Sequence, residues 1–83
     1  MDYMAGTDDT DIKKRIEKDI SLFYSNLGNT EKVRDGRSLK VVEMAKMYAS
    51  DAKSYLLRKD LYTSFSCISY AHGLLDAVRE ISG

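Results

Sequence analysis

The sequence contains no proline, although proline makes up about 5% of average protein sequence. Because proline interrupts helices, its absence leaves long helices unbroken. The chain also lacks a long apolar run, since no stretch approaches the roughly 18 residues of a membrane-spanning helix. Residues 1–6 are acidic, without the basic start and apolar run of a signal peptide. We therefore expect a cytoplasmic protein with no membrane partner.

Disulfides and an excess of charge of either sign are missing as well. Cys67 is the single cysteine, and its place in a helical apolar pattern predicts a buried, reduced thiol. Thirteen basic and thirteen acidic residues cancel, which argues against a general nucleic-acid coat protein, because such domains are usually strongly basic. A chain of 83 residues is one small domain without room for an enclosed substrate cavity.

Apolar residues recur at alternating spacings of three and four in two long segments, which places them on one side of a helix. The first series is Val42, Ala45, Ala49, Ala52 and Leu56, and the second is Phe65, Ile68, Ala71 or His72, Leu75 and Val78. Only residues 58–60 separate the two series, and so short a link makes the helices antiparallel neighbours. We expect small residues of the first helix to face large residues of the second, with Ala52 near Phe65.

A third amphipathic helix precedes this pair. The apolar residues Ile12, Ile16, Ile20, Phe23 and Leu27 predict a helix over about 9–26, with Gly28 as its stop. Asp35 or Ser38 should cap the second helix, which runs to about 57, and Asp60 should cap the third, which runs to about 81.

Each of the last two helices carries a second apolar stripe, which predicts a second neighbour for it. These stripes are Val41, Met44, Tyr48 and Tyr55 on one helix and Cys67, Tyr70, Leu74, Ala77 and Ile81 on the other. The sequence therefore predicts an all-α fold, an antiparallel three-helix bundle, over 8–83 after a flexible lead-in at 1–7.

A recognisable pattern runs from Ala45 to Val78: Tyr48 with Asp51-Ala52, then Asp60 and Phe65, then Ser69-Tyr70-Ala71-His72-Gly73-Leu74-Leu75-Asp76-Ala77. In this pattern the chain resembles an archaeal family, domain-of-unknown-function family 357. The resemblance implies a compact three-helix bundle and no assigned activity. The chain departs from the family pattern at Lys59, where a glycine is favoured. Because lysine tolerates a left-handed conformation less well than glycine, we expect a strained reversal there, with a positive φ.

The same segment is distantly similar to the HEPN helical domains. Many of these are ribonucleases with an arginine shortly before a histidine. Phe65, Ser66 and Cys67 stand at the corresponding spacing before His72, so the catalytic signature is missing and nuclease activity is not expected.

Several polar residues share helix faces in this segment. Ser69, His72 and Asp76 are spaced like a Ser-His-Asp constellation, but no glycine-rich elbow or pocket accompanies them. We favour a polar seam in which His72 and Asp76 pair. Asp51 follows Tyr48 by three residues, so its carboxylate can accept tyrosine hydroxyls in a structural role or in a small site. The complete predicted binding or structural cluster is Tyr48, Asp51, Tyr55, Tyr70, His72, Gly73 and Asp76.

Two further features bear on this cluster. Asp51, His72 and Asp76 lack the paired spacing of metal ligands, so we expect no metal and no cofactor.

Gly73 lies inside a helix, where glycine costs about 1 kcal/mol relative to alanine. We expect close packing against a neighbouring helix of the same chain to compensate for this cost.

Tyrosines and basic residues suggest two different partners. Six tyrosines in so short a chain favour an interface. We therefore expect a non-enzymatic helical module that binds another protein or associates with itself. The alternative is an RNA- or nucleotide-binding module that contacts phosphate through Lys32, Arg34, Arg37 and Lys40, although no row of exposed aromatics offers base stacking. A hydrolase built on His72 is the least favoured function.

Overall fold

A computed structural model describes residues 9–30 and 35–82 of the chain. It contains three long helices: α1, Asp9–Leu27; α2, Gly36–Leu57; and α3, Leu61–Ser82. A single turn of 3-10 helix, Gly28–Thr30, extends α1. The predicted all-α, three-helix fold is confirmed. The predicted lead-in at 1–7 lies outside the described residues, and within those residues no helix is long and apolar enough to cross a membrane.

Side-chain caps begin α2 and α3 where the sequence predicts them. The Asp35 carboxylate accepts hydrogen bonds from the Ser38 backbone N–H at 3.1 Å and from the Ser38 hydroxyl at 3.0 Å. Asp60 accepts from the Thr63 N–H at 3.2 Å. Each carboxylate satisfies a backbone donor that the first turn of a helix leaves free, and its charge suits the helix dipole.

A tight turn joins α2 to α3. Lys59 has a φ of 65°, which confirms the positive φ expected there. Its N–H donates to the Leu56 carbonyl at 3.0 Å, and the Asp60 N–H donates to the Tyr55 carbonyl at 2.9 Å. This pair of bonds is the Schellman arrangement, in which glycine usually occupies the left-handed position that Lys59 fills here.

The core lies along the seam between α2 and α3, with α1 laid over it. Its fully buried members include Ala45, Ala49 and Ala52 of α2, Ile68, Ala71 and Leu75 of α3, and Ile16 and Phe23 of α1. Because alanine has the smallest apolar side chain, α3 can approach α2 closely along this stripe. These positions agree with the predicted apolar series.

One core position differs from the prediction. Phe65 is 39% exposed, whereas Ser64 is fully buried and donates its hydroxyl hydrogen to the Ala52 carbonyl at 2.6 Å. Residues 64 and 65 both lie about one turn before Ile68, so either could border the core. The hydrogen bond satisfies the polar group that burial removes from water. The prediction of Phe65 as a core residue is therefore wrong, and Ser64 takes its place beside Ala52.

Helix α1 covers only one side of the α2–α3 pair, and it packs more extensively on α3 than on α2. On that side the His72 ring lies edge-on to Phe23, with centroids 5.8 Å apart. The Lys53 ammonium lies 4.3 Å from the centroid of the Tyr24 ring. Lys53 and His72 therefore mark the sides of α2 and α3 that face α1.

Candidate interaction surface

The side of the α2–α3 pair away from α1 carries the second apolar stripes, and we call it the tyrosine face. It comprises Val41, Met44, Tyr48 and Tyr55 of α2 and Cys67, Tyr70, Leu74, Ala77 and Ile81 of α3. At about 100° per residue, Tyr48 lies roughly 140° around α2 from Lys53, and Tyr70 lies roughly 160° around α3 from His72. No described residue of α1 thus covers this face.

Two tyrosines form the centre of the tyrosine face. The Tyr48 and Tyr70 rings meet edge to face, with centroids 4.7 Å apart and planes at 76°. Tyr70 remains 51% exposed and Met44 43% exposed, whereas Tyr48, Cys67 and Leu74 are half-buried. The expectation that these stripes face a second helix of the same bundle is wrong, because α1 packs on the other side. The result is a contiguous aromatic and apolar surface in contact with water.

Asp51 lies beside this surface without the predicted tyrosine partners. Within the described residues, neither Tyr48 nor Tyr55 donates a hydrogen bond to its carboxylate, and the Tyr55 ring instead contacts the Arg58 guanidinium at 4.9 Å. The negative charge of Asp51 acts on Cys67. Burial, followed by the charges of Asp51 and Asp60, raises the pKa of the Cys67 thiol. Cys67 is therefore a neutral and weakly nucleophilic thiol, half-buried rather than fully buried as expected.

His72 and Asp76, expected to pair, have different partners. His72 Nε2 lies 2.8 Å from the Asp19 carbonyl oxygen of α1, so the ring nitrogen donates there. Asp76 instead lies 3.6 Å from an Arg79 guanidinium nitrogen in an exposed pair. The prediction of a His72–Asp76 pair is wrong because the α1 backbone supplies an acceptor that only tertiary packing can bring. The Ser69, His72 and Asp76 constellation is not assembled.

Gly73 is also differently placed from the expectation. It is exposed, its φ is not positive, and a Cβ built on it would meet no atom within 4 Å. The prediction that Gly73 packs closely against another helix of the same chain is therefore wrong. Of the predicted cluster, the structure brings together Tyr48 and Tyr70, with Asp51 and Tyr55 on the same side of α2, while His72 faces α1.

The structure describes only part of the basic group that the sequence predicts to contact phosphate. Arg37 and Lys40 lie exposed in the first turns of α2, with the Asp35 carboxylate nearby at the cap. Lys32 and Arg34 lie outside the described residues. Across the described part of the chain, no group of three or more His, Cys, Asp or Glu side chains is arranged to hold a metal ion.

A second uncovered area lies in the groove between α1 and α2, which sequence reasoning missed. It is lined by Ile20, Leu56 and Leu57 together with Lys53 and Glu17. No aromatic residue is among its described lining residues, and the charged ones are of the kinds that are depleted in interface cores. The exposure of Leu57 could not be read from spacing, because it depends on where α1 lies.

These features define a small all-helical bundle with one uncovered aromatic face. Residues 18–82 match the family described as protein of unknown function (DUF357). Because the match spans more than half of the chain, the chain belongs to this family, and the family part of the sequence resemblance is confirmed. The archaeal origin and the HEPN similarity stay predictions. No curated protein is significantly similar to the chain.

Proposed function

We propose that this chain is a non-enzymatic helical module that binds protein through the tyrosine face. The observation that carries the proposal is the exposure of Tyr70 and Met44 on a side of the bundle that no described element covers. Tyrosine and methionine are enriched in interfaces, where a tyrosine offers a large apolar ring and a hydroxyl that hydrogen-bonds at low entropic cost.

Both sides of the α2–α3 pair carry apolar residues, which supports this proposal. On one side α1 fills the groove between the helices, with Phe23 fully buried there. On the other side the Tyr48 and Tyr70 rings meet across the seam between α2 and α3, and no described helix covers them. A partner helix pair packed on this side would add a second layer of helices, and side chains of facing helices would interdigitate.

The chemistry of the polar residues supports the non-enzymatic part of the proposal. His72, the only histidine, is engaged with the Asp19 carbonyl between two helices. Cys67 has a raised pKa, which disfavours the nucleophilic thiolate. Arg37 and Lys40, the described members of the predicted phosphate group, lie near the acidic cap residue Asp35, and RNA binding is an outcome that the test must distinguish.

Photo-crosslinking tests the proposal at one residue. The photoreactive amino acid p-benzoylphenylalanine replaces Tyr70 on the tyrosine face, or Leu22 on α1 as the matched control. The two side chains have nearly equal exposure, 51% and 49%. Each protein is irradiated alone and in an extract of the cells that produce it. We expect protein crosslinks from position 70 that position 22 does not give, and loss of these crosslinks in a Met44→Lys background.

Equal crosslinking from both positions, or crosslinks at position 70 that Met44→Lys does not reduce, would contradict the proposal. Association with RNA that weakens steeply with salt, together with no protein crosslink at position 70, would favour the nucleic-acid alternative. An apolar helix interface depends only weakly on salt.

A further inference from the structure

A stripe along α2 at the edge of the tyrosine face has a self-complementary order. Lys40, Met44, Met47 and Asp51 follow one another at spacings of four, three and four, so they share one side of the helix. All four are exposed, Met47 at 66%. Read from either end, the stripe is a charge, two methionines and the opposite charge.

Within the described residues, neither charge at the ends of this stripe forms an ion pair in its own copy. Lys46 pairs with Glu43 and Arg79 pairs with Asp76, but Lys40 and Asp51 take part in neither pair. Lys40 and Asp51 lie about 16 Å apart along α2, at a rise of 1.5 Å per residue, so they cannot meet within one helix. A second α2 running antiparallel would place each Lys40 against the other copy's Asp51, with Met44 against Met47.

The stripe on α3 is centred at the same height. Thr63, Cys67, Tyr70, Leu74, Ala77 and Ile81 alternate at spacings of four and three, and the centre of this series lies at His72. The contacts of Tyr48 with Tyr70 and of Ser64 with Ala52 fix the relative height of the two helices. They place the midpoint between Met44 and Met47 beside residues 71–72 of α3. A single two-fold axis can therefore relate both stripes of one copy to the same stripes of a second copy.

We propose that the partner of the tyrosine face is a second copy of this chain, bound antiparallel with α2 over α2 and α3 over α3. This inference rests on the proposed function, since it names the occupant of the same face. The interface is isologous, so each contact occurs twice. Tyr70 of each copy faces Leu74 of the other, Cys67 faces Ala77, and the Lys40–Asp51 pairs fix the direction, because electrostatic complementarity sets orientation.

Two charge reversals test this register in the intact chain. Lys40→Asp gives a copy with two acidic ends on the α2 stripe, and Asp51→Lys gives a copy with two basic ends. Either variant alone meets like charges twice across the two-fold axis. An equimolar mixture forms heterodimers in which both pairs are opposite in sign again. Lys18→Asp, on α1, is the control for a charge reversal outside the face.

Sedimentation equilibrium over a range of concentrations measures the dimer dissociation constant, and circular dichroism confirms helical folding of each variant. We expect the wild type and Lys18→Asp to dimerise equally. Each stripe variant alone should dimerise at least about tenfold more weakly, and the mixture should recover most of the affinity. Added salt should bring the dimer dissociation constants of the variants closer to that of the wild type, because the charge pairs lie at a solvated edge of the interface.

Three results would overturn the inference. A wild type that stays monomeric at every concentration would refute self-pairing, while the crosslinks at position 70 would still decide the proposed function. A dimer that neither reversal weakens would refute the Lys40–Asp51 pairing. A mixture no tighter than the separate variants would refute the antiparallel register.

Discussion

Replacing Gly73 by alanine should stabilise the folded monomer. A Cβ at this position meets no atom within 4 Å, and Gly73 has no positive φ that an alanine could not adopt. The substitution therefore acts through helix propensity and the entropy of the unfolded chain, which together favour alanine by about 1 kcal/mol in a helix interior. For a domain of this size, that gain raises Tm by roughly 4–8 °C.

Thermal and urea unfolding of wild type, Gly73→Ala and Gly73→Leu measure this effect at low protein concentration, where the monomer dominates. We expect both variants to be at least as stable as wild type, with an unchanged m-value. Gly36→Ala is the control, since it also enters open space but at the first residue of α2, where propensity matters less. A loss of several kcal/mol in Gly73→Leu would mean that another helix packs on Gly73 and would contradict its exposed position.

Substitutions at three further residues test, by urea unfolding, the turn, the buried Ser64 hydrogen bond and the partly buried His72 hydrogen bond. Lys59→Gly should be neutral or stabilising by up to about 1 kcal/mol, because relief of left-handed strain outweighs the added unfolded-chain entropy; a clear loss would contradict the positive φ. Ser64→Ala should cost about 1 kcal/mol through the lost bond to the Ala52 carbonyl, and Ser64→Val about 1–3 kcal/mol through overpacking; a stabilised valine variant would contradict the tight contact. His72→Gln should cost less than His72→Ala, because the amide can still donate to the Asp19 carbonyl; equal costs would contradict that hydrogen bond.

The helices and their order were predictable because local rules decide them. Period-3.6 apolar spacing set the extents of the helices to within a residue or two, and the carboxylates of Asp35 and Asp60 marked the starts of α2 and α3. The reversal at Lys59 was predictable as well, since only three residues link the two apolar series. Such features depend on neighbours along the chain, which the sequence shows directly.

The remaining features depend on which faces meet in three dimensions. Ser64, rather than Phe65, lies in the core because its hydrogen bond to the opposite helix offsets the burial of the hydroxyl. The spacing of residues along the sequence does not predict that bond. His72 found its acceptor in the α1 backbone, far away in sequence. Gly73 was expected to be packed because its propensity cost suggested a compensation, but no described residue packs against it. The tyrosine face was visible as apolar stripes, yet its exposure depends on the position of α1.

A concentration series of NMR spectra tests the central claim most directly, that copies of this chain associate through the side of the α2–α3 pair opposite α1. The methyl signals of Met44 and Leu74 and the ring signals of Tyr70 report on the tyrosine face, and the methyl signals of Leu22 report on α1. We predict that dilution shifts the signals of the tyrosine face while Leu22 stays unchanged. Shifts at Leu22 without shifts at Tyr70, or no shift at any of these residues across the series, would contradict the account.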